Sequence, residues 1–221
     1  MKEQGADKQA GRHRPGTAAY ANGQETVARI LDTAHRLVIE EGLAALSMRR
    51  VARELSISPG NLSYYYPSKA NLIEDLLSRV IERYMAQFVR VRAEQAEAPE
   101  AQLRAMVGFV FDDLQNRDTT HFFPELWVLA NRDVWAAQQM ERIYGLYRSV
   151  LQDIIALMRP DLRRRDREDL ALAISASAEG HTVFVGHERL HRARHARLRA
   201  LMVEQSVAMV QSARRNLGPE R

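Results

Sequence analysis

Three of the five serines in residues 46–77 stand where a helix would begin, and their spacing restricts the chain more than any other feature. Ser47 stands before the apolar stripe Met48, Val51, Ala52 and Leu55, Ser58 stands before Pro59, and Ser68 stands before Leu72, Ile73, Leu76 and Leu77. A serine hydroxyl there satisfies free N–H groups at a helix start, and proline suits the first helical position because its missing N–H would have no partner in the helix. The helix that opens at Pro59 must stop before Pro67. Two short helices therefore meet across the tight turn Ser56, Ile57 and Ser58, and a long helix follows. The reciprocal capping box would need Glu at position 50, where the chain has Arg50, so half of that signal is present.

The rest of the sequence shows the same period. Val27, Ile30, Leu31, Ala34, Leu37 and Val38 fall on one face of a helix from Gln24, and Gly42 sits where a C-terminal cap is wanted. The apolar band after Ser68 continues through Val80, Ile81, Tyr84, Met85 and Phe88. Further helices are expected over roughly 99–116, 123–131, 133–159, 167–187 and 195–216, with breaks at Pro99, Pro124 and Pro160. No stretch alternates as a strand does, so the fold class is all-α. The expected boundaries are a flexible basic tail over 1–22, a small three-helix unit over 23–69 with a helix-turn-helix at about 47–66, a larger helical domain over 70–216, and a tail over 217–221.

The short helix at 60–66 carries three consecutive tyrosines. Leu62 and Tyr66 share a face, four residues apart, and can join Val51 and Leu55 as core. Ser63, Tyr64 and Tyr65 then point away from it. In a helix-turn-helix the second helix lies in the major groove, and phenols suit that position: the hydroxyl reaches a phosphate oxygen and the ring lies against sugar or a thymine methyl. Gly60 lets the helix start come close to the nucleic acid. The alternative is that the rings pack against a neighbouring helix, which is the reading for Tyr66. Charge agrees with an acidic partner. The chain has 32 Lys and Arg against 28 Asp and Glu, a net charge of +4, and between Ser47 and Lys69 the positive residues Arg49, Arg50, Arg53 and Lys69 face Glu54 alone. Arg49 and Lys69 are the candidates for phosphate; Arg50 and Arg53 read as a solvated helix face.

The segment LSMRRVARELSISPGNLSYYYPSKANLIEDLL, residues 46–77, resembles the DNA-binding segment of the tetracycline-repressor (TetR) family, including Gly60-Asn61-Leu62 at the opening of the recognition helix and Ser68-Lys69 at the next. The resemblance is close over about 24–84 and beyond that extends to length and the succession of helices. It implies a homodimer that binds double-stranded operator DNA through Ser47, Arg49, Ser58, Pro59, Gly60, Asn61, Ser63, Tyr64, Tyr65 and Lys69. It further implies an N-terminal three-helix helix-turn-helix DNA-binding domain over 23–69, a larger helical ligand-binding and dimerisation domain over 70–216, and a small-molecule effector of unknown identity that alters DNA affinity. Two positions depart from the family pattern. Ser56 occupies the turn where glycine is frequent, strained by about 1 kcal/mol if left-handed, and Ser63 follows the leucine where tyrosine is frequent.

An effector site is expected among Met106, Phe109, Asp113, His121, Phe123, Trp127, Trp135 and Tyr144, which offer bulk, polarisable surface and a few polar groups; plain core is the alternative. The helix at 167–187 is unusually smooth, and Ala173, Ser177, Gly180 and Phe184 together with Leu198, Leu201, Met202, Gln205 and Met209 of the last helix would close a four-helix bundle between two chains.

Enzymatic chemistry has no visible machinery. The chain has no cysteine and no HExxH or phosphate-cradling glycine loop. His187, His191 and His195 recur every four residues, but arginines crowd them and oppose a divalent ion, so neither metal nor cofactor is expected. No run approaches the length needed to span a bilayer, and the expected location is cytoplasmic. Beside a ligand-responsive repressor stand two other readings: a DNA-bound protein on the same scaffold that acts through a protein partner without sensing a small molecule, and a histidine-dependent metalloprotein.

Overall fold

The structure is a computed structural model; it describes residues 17–94 and 98–214, with the side chains of 17–22 excepted. Nine α-helices follow one another: α1 Thr17–Glu41, α2 Met48–Glu54, α3 Pro59–Tyr65, α4 Lys69–Glu94, α5 Pro99–Asp113, α6 Arg117–Ala130, α7 Val134–Met158, α8 Arg164–Val185 and α9 His195–Ser212. A single 3-10 turn, Arg192–Arg194, precedes α9. No strand occurs among the described residues.

The serine punctuation operates as read. Ser47 Oγ accepts from Arg50 N at 3.2 Å, Ser58 Oγ from Asn61 N at 3.1 Å and Ser68 Oγ from Asn71 N at 3.2 Å. The turn after α2 is closed by Ser56 N donating to Arg53 O and Ile57 N donating to Ala52 O, with Ser56 at φ 55. That pair of bonds around a left-handed residue terminates a helix and would favour glycine at position 56. Gly42, at φ 82, ends α1 and donates to Val38 O; there the glycine is present.

Three expected helix starts move. Helix α1 begins at Thr17, so residues 17–22 belong to it and not to a tail; the remainder of the expected N-terminal tail, and the C-terminal one, lie outside the described residues. Pro124 is inside α6, which starts at Arg117. It removes the N–H that would have reached back one turn, and the burial of Phe122, Phe123 and Leu126 on the same helix offsets that loss. Helix α8 begins at Arg164, three residues earlier than the sequence suggests.

One contiguous core runs from Ile30 in α1 to Ala213 after α9. Val51, Leu62 and Tyr66 pack the small helices onto α1 and α4, while Leu103, Met106, Phe111, Leu151, Ile154 and Ile155 fill the centre between α5 and α7. Helix α5 lies against α7 and α9, and α7 against α6 and α8. Helices α4 and α6 both touch α1, so they join the N-terminal helices to the larger bundle.

Candidate nucleic-acid interface and effector cavity

Helix α3 separates its side chains as the spacing requires. Leu62 and Tyr66 are buried, and the Tyr66 hydroxyl donates to Asp75 Oδ2 of α4 at 2.7 Å. Burial first, and then this carboxylate, raise the Tyr66 pKa well above the ordinary phenol value, which fixes it as a neutral donor. Tyr64 is 70% exposed, with its ring edge-on to Tyr65 at 5.2 Å between centroids. Tyr65 is half-buried and leans on the core, so it offers less surface than the sequence suggests. Ser58, Pro59, Gly60, Asn61 and Ser63 are exposed beside Tyr64, as are Ser47 and Arg49 at the start of α2. Gly60 faces open space: a Cβ built there would meet only Ser58 Oγ, at 3.9 Å.

The cations around this surface divide. Arg50 is committed to Glu41 and Glu54, at 2.6 and 3.0 Å, and Arg36 of α1 joins the same cluster through Glu54 at 3.0 Å. Arg49 and Arg53 are exposed and make no ion pair among the described residues. Lys69 is half-buried, and its Nζ donates to Leu43 O at 3.2 Å. One of its three protons thus fastens the start of α4 to the turn after α1.

The larger bundle encloses a cavity of about 40 Å³, lined by residues of five helices: Tyr84 and Phe88 of α4, Asp113 of α5, Thr119 and Phe123 of α6, Tyr144 and Tyr147 of α7, and Glu179 of α8. Asp113 Oδ2 accepts from Tyr84 at 2.5 Å and Thr119 at 2.7 Å, and Oδ1 from Asn116 at 2.8 Å. Burial pushes the Glu179 carboxyl up to about 7, against the opposing pull of the Tyr144 hydroxyl. Of the eight residues expected to form an effector site, Asp113, Phe123 and Tyr144 line this cavity. The other five do not. Met106 is wholly buried between helices, Phe109 and Trp135 pack on the outside of the core, and Trp127 serves indirectly, donating Nε1 to the Tyr144 hydroxyl at 2.8 Å. His121 lies instead beside Arg117 and Arg189, in the vicinity of the basic bend, and burial lowers its pKa. Glu179, Tyr84 and Tyr147 are the residues that sequence reasoning missed. Glu179 did leave a trace, as the single carboxylate between Leu170 and Val185.

The histidines of the bend act separately. His187 Nδ1 and His195 Nε2 bond to the carbonyls of Gln115 and Phe111, at 3.2 and 2.7 Å, where α5 ends, and His191 is exposed. No cluster of three potential metal ligands occurs among the described residues, and no helix among them is long and apolar enough to cross a membrane.

On α8 and α9, Leu172, Val183, Phe184 and Leu201 are each more than half exposed. Ala173, Gly180 and Gln205 are exposed with them, and Ser177, Leu198 and Met209 are half-buried. Met202 is not among them, since it packs into its own chain's core at 7% exposure.

Comparison with known proteins places these features. Residues 30–76, from α1 through α2 and α3 into α4, match the family of bacterial regulatory proteins of the tetR type. The helix-turn-helix-type transcriptional regulator BetI of Burkholderia thailandensis is 36% identical over 88 residues, 40% of this chain and 45% of that protein. The match thus spans under half the length of that relative. A regulator from the dhlA 5′ region of Xanthobacter autotrophicus is 28% identical over 162 residues, 70% of this chain and 77% of it. Among solved structures, a TetR transcription regulator from Haloarcula marismortui superposes with a TM-score of 0.63 at 19% identity, covering 85% of this chain and 95% of that one. A protein from Saccharomonospora viridis, described as a transcriptional regulator and solved in complex with choline, gives 0.65 at 20% identity, covering 86% and 97%. These two likenesses concern the fold. The helix-turn-helix is thus matched in sequence by the bacterial tetR regulatory family over residues 30–76, and the whole bundle has the fold of solved regulators of that type.

Proposed function

We propose that the protein is a dimeric repressor that binds a near-palindromic operator and leaves it when a small-molecule effector enters the cavity. The observation that carries the DNA reading is the division of α3: Leu62 and Tyr66 are sealed while Tyr64, on the same seven-residue helix, is 70% exposed. An isolated surface helix has no packing reason to hold an aromatic ring in water. A major groove supplies one. Ser47, Arg49, Asn61 and Ser63 form the rest of the surface, with Lys69 orienting it and contributing its remaining charge.

The exposed apolar side chains of α8 and α9 support the dimer reading. Leu172, Val183, Phe184 and Leu201 are large apolar side chains exposed on these two helices, and a second copy of the same hairpin would cover them in a four-helix bundle. Two recognition helices on one two-fold axis would address half-sites about 34–36 Å apart.

Effector response has a route through α6. Thr119 and Phe123 line the cavity on one side of this helix, and Glu125, two residues on, accepts the backbone N–H of Leu43 between α1 and α2 at 2.8 Å. His35 of α1 adds a second link, with Nδ1 3.7 Å from Asp118. A ligand that prefers a displaced Phe123 would therefore favour a displaced DNA-binding unit by the same differential free energy. Selection of bound fragments from random duplex DNA by the full chain tests the reading. An enriched two-fold sequence supports it, and recovery without enrichment contradicts it.

A further inference from the structure

We propose that the groove between α1 and α4 is a second binding site, for a small organic acid whose carboxylate is held by Arg83 and His35 and whose apolar body lies over Leu76 and Val80. Binding there is independent of the repressor reading; only its effect on DNA rests on that reading.

The groove shares no lining residue with the core cavity and is far roomier, at about 250 Å³ against about 40 Å³. Such a volume takes on the order of 20 water-sized atoms. Asp32 and His35 of α1 and Leu76, Arg79, Val80 and Arg83 of α4 line it. Three observations give the guest its chemistry. His35 Nε2 is buried without a hydrogen-bond partner among the described residues, and Nδ1 comes only to 3.7 Å from Asp118 Oδ2. A buried ring nitrogen is seldom left so. The second observation is Arg83, whose Nη1 stands 4.0 Å from the same Asp118 oxygen and whose guanidinium makes no hydrogen bond among the described residues. Arg79, by contrast, is committed to Asp32 Oδ1 at 2.5 Å and Ala28 O at 3.4 Å. The third is Asp118 itself. One of its oxygens lies between His35 and Arg83 yet is too far from either to bond, so a carboxylate is accommodated there without its contacts being closed. A ligand entering along the groove can approach both donors, and the planar guanidinium fork matches a carboxylate.

Other ligand classes fit worse. A cation would meet two arginines, a phosphate would bring a second negative charge toward Asp32 and Asp118, and a hydrocarbon would leave His35 and Arg83 unserved. The acid would take the place of Asp118 at His35, and with it one of the links between α6 and α1. Operator affinity is therefore expected to fall as the acid binds.

Calorimetric titration of the full chain with hexanoate, hexan-1-ol and inorganic phosphate tests the site. Hexanoate should bind at least roughly tenfold more tightly than either of the others, the factor that a charge-assisted hydrogen bond supplies. Arg83→Gln should abolish that preference. Asp118→Asn, which removes the competing charge, should tighten hexanoate by roughly two- to fivefold, the range of an exposed charge interaction. A general loss of folding would not give two neighbouring substitutions opposite signs. Tyr147→Phe, in the core cavity, should bind hexanoate as the parent does. Absence of hexanoate binding, equal binding of hexan-1-ol or phosphate, an unchanged preference in Arg83→Gln, weaker binding in Asp118→Asn or lost binding in Tyr147→Phe overturns the assignment. Operator binding measured on the same preparations separates the two levels: operator preference without hexanoate preference removes only the acid site, and hexanoate preference without operator preference removes only the repressor reading.

Discussion

The carboxylate of Glu125 in α6 accepts the backbone N–H of Leu43, in the turn between α1 and α2, at 2.8 Å. Its oxygens also lie 3.2 and 3.3 Å from where a Cβ on Gly42 would be. One side chain of the larger bundle thus satisfies a backbone donor of the DNA-binding unit, next to the left-handed residue that turns the chain. The bond links two parts of the fold that must move together if ligand and DNA are to influence each other.

Removing that acceptor leaves a part-buried N–H unsatisfied. Glu125→Ala is expected to lower stability by about 1 kcal/mol in chemical denaturation, while Glu125→Gln, which retains an oxygen, stays near the parent. The sharper readout is coupling: Glu125→Ala should bind effector with nearly parental affinity yet release DNA at higher effector concentration.

Gly60 offers a test of how closely DNA approaches. Its surroundings leave room for a methyl group, and its backbone is not left-handed. Gly60→Ala should therefore be neutral or stabilising, by up to about 1 kcal/mol given the helix propensities of the two residues. Operator affinity should fall all the same, because the added methyl meets DNA and not protein. Unchanged affinity in fluorescence anisotropy would place the duplex further from the start of α3.

The legibility of the sequence divides along the same line as these two tests. The ends of α2 and α3 were readable because caps, proline and turn residues act on their own neighbours: Ser47, Ser58, Pro59 and Ser56 all behave locally. The split of Leu62 and Tyr66 from Tyr64 follows from helix spacing alone. The cavity could not be read that way. Periodicity marks Met106 and Tyr147 alike as buried, but only the crossing of α4, α5, α6, α7 and α8 decides which of them meets empty space. A similar limit separates Leu201 from Met202 on α9. Adjacent residues lie about 100° apart around a helix, and that rotation turns one outward while the other enters the core.

Glu179 predicts a pH dependence of stability. Its native carboxyl titrates at about 7, against 4.5 for an ordinary glutamate, chiefly through burial and further through the charge of Asp113 on α5; Tyr144 on α7 opposes the shift by donating to it. Between those values the native state binds more protons than the unfolded chain. Stability from this group therefore falls as pH rises from about 4.5 to about 7 and levels off above, by an amount on the order of 3 kcal/mol at most. Urea denaturation at a series of pH values should show that slope in the parent and its flattening in Glu179→Gln. A slope identical in both would mean that the carboxyl is solvated in the native state.

The most direct test of the DNA reading compares two tyrosines on one seven-residue helix. Binding of Tyr64→Ala and Tyr66→Phe to a selected operator fragment and to unrelated duplex should be measured at fixed salt, with unfolding free energies alongside. The account predicts that Tyr64→Ala keeps parental stability and loses roughly tenfold or more of its preference for the operator, as loss of a contact to a base edge entails. Tyr66→Phe, deprived of its bond to Asp75, should lose about 1 kcal/mol of stability and keep the preference. Equal weakening of Tyr64→Ala on both DNAs, or no weakening on either, would contradict the placement of α3 in the groove.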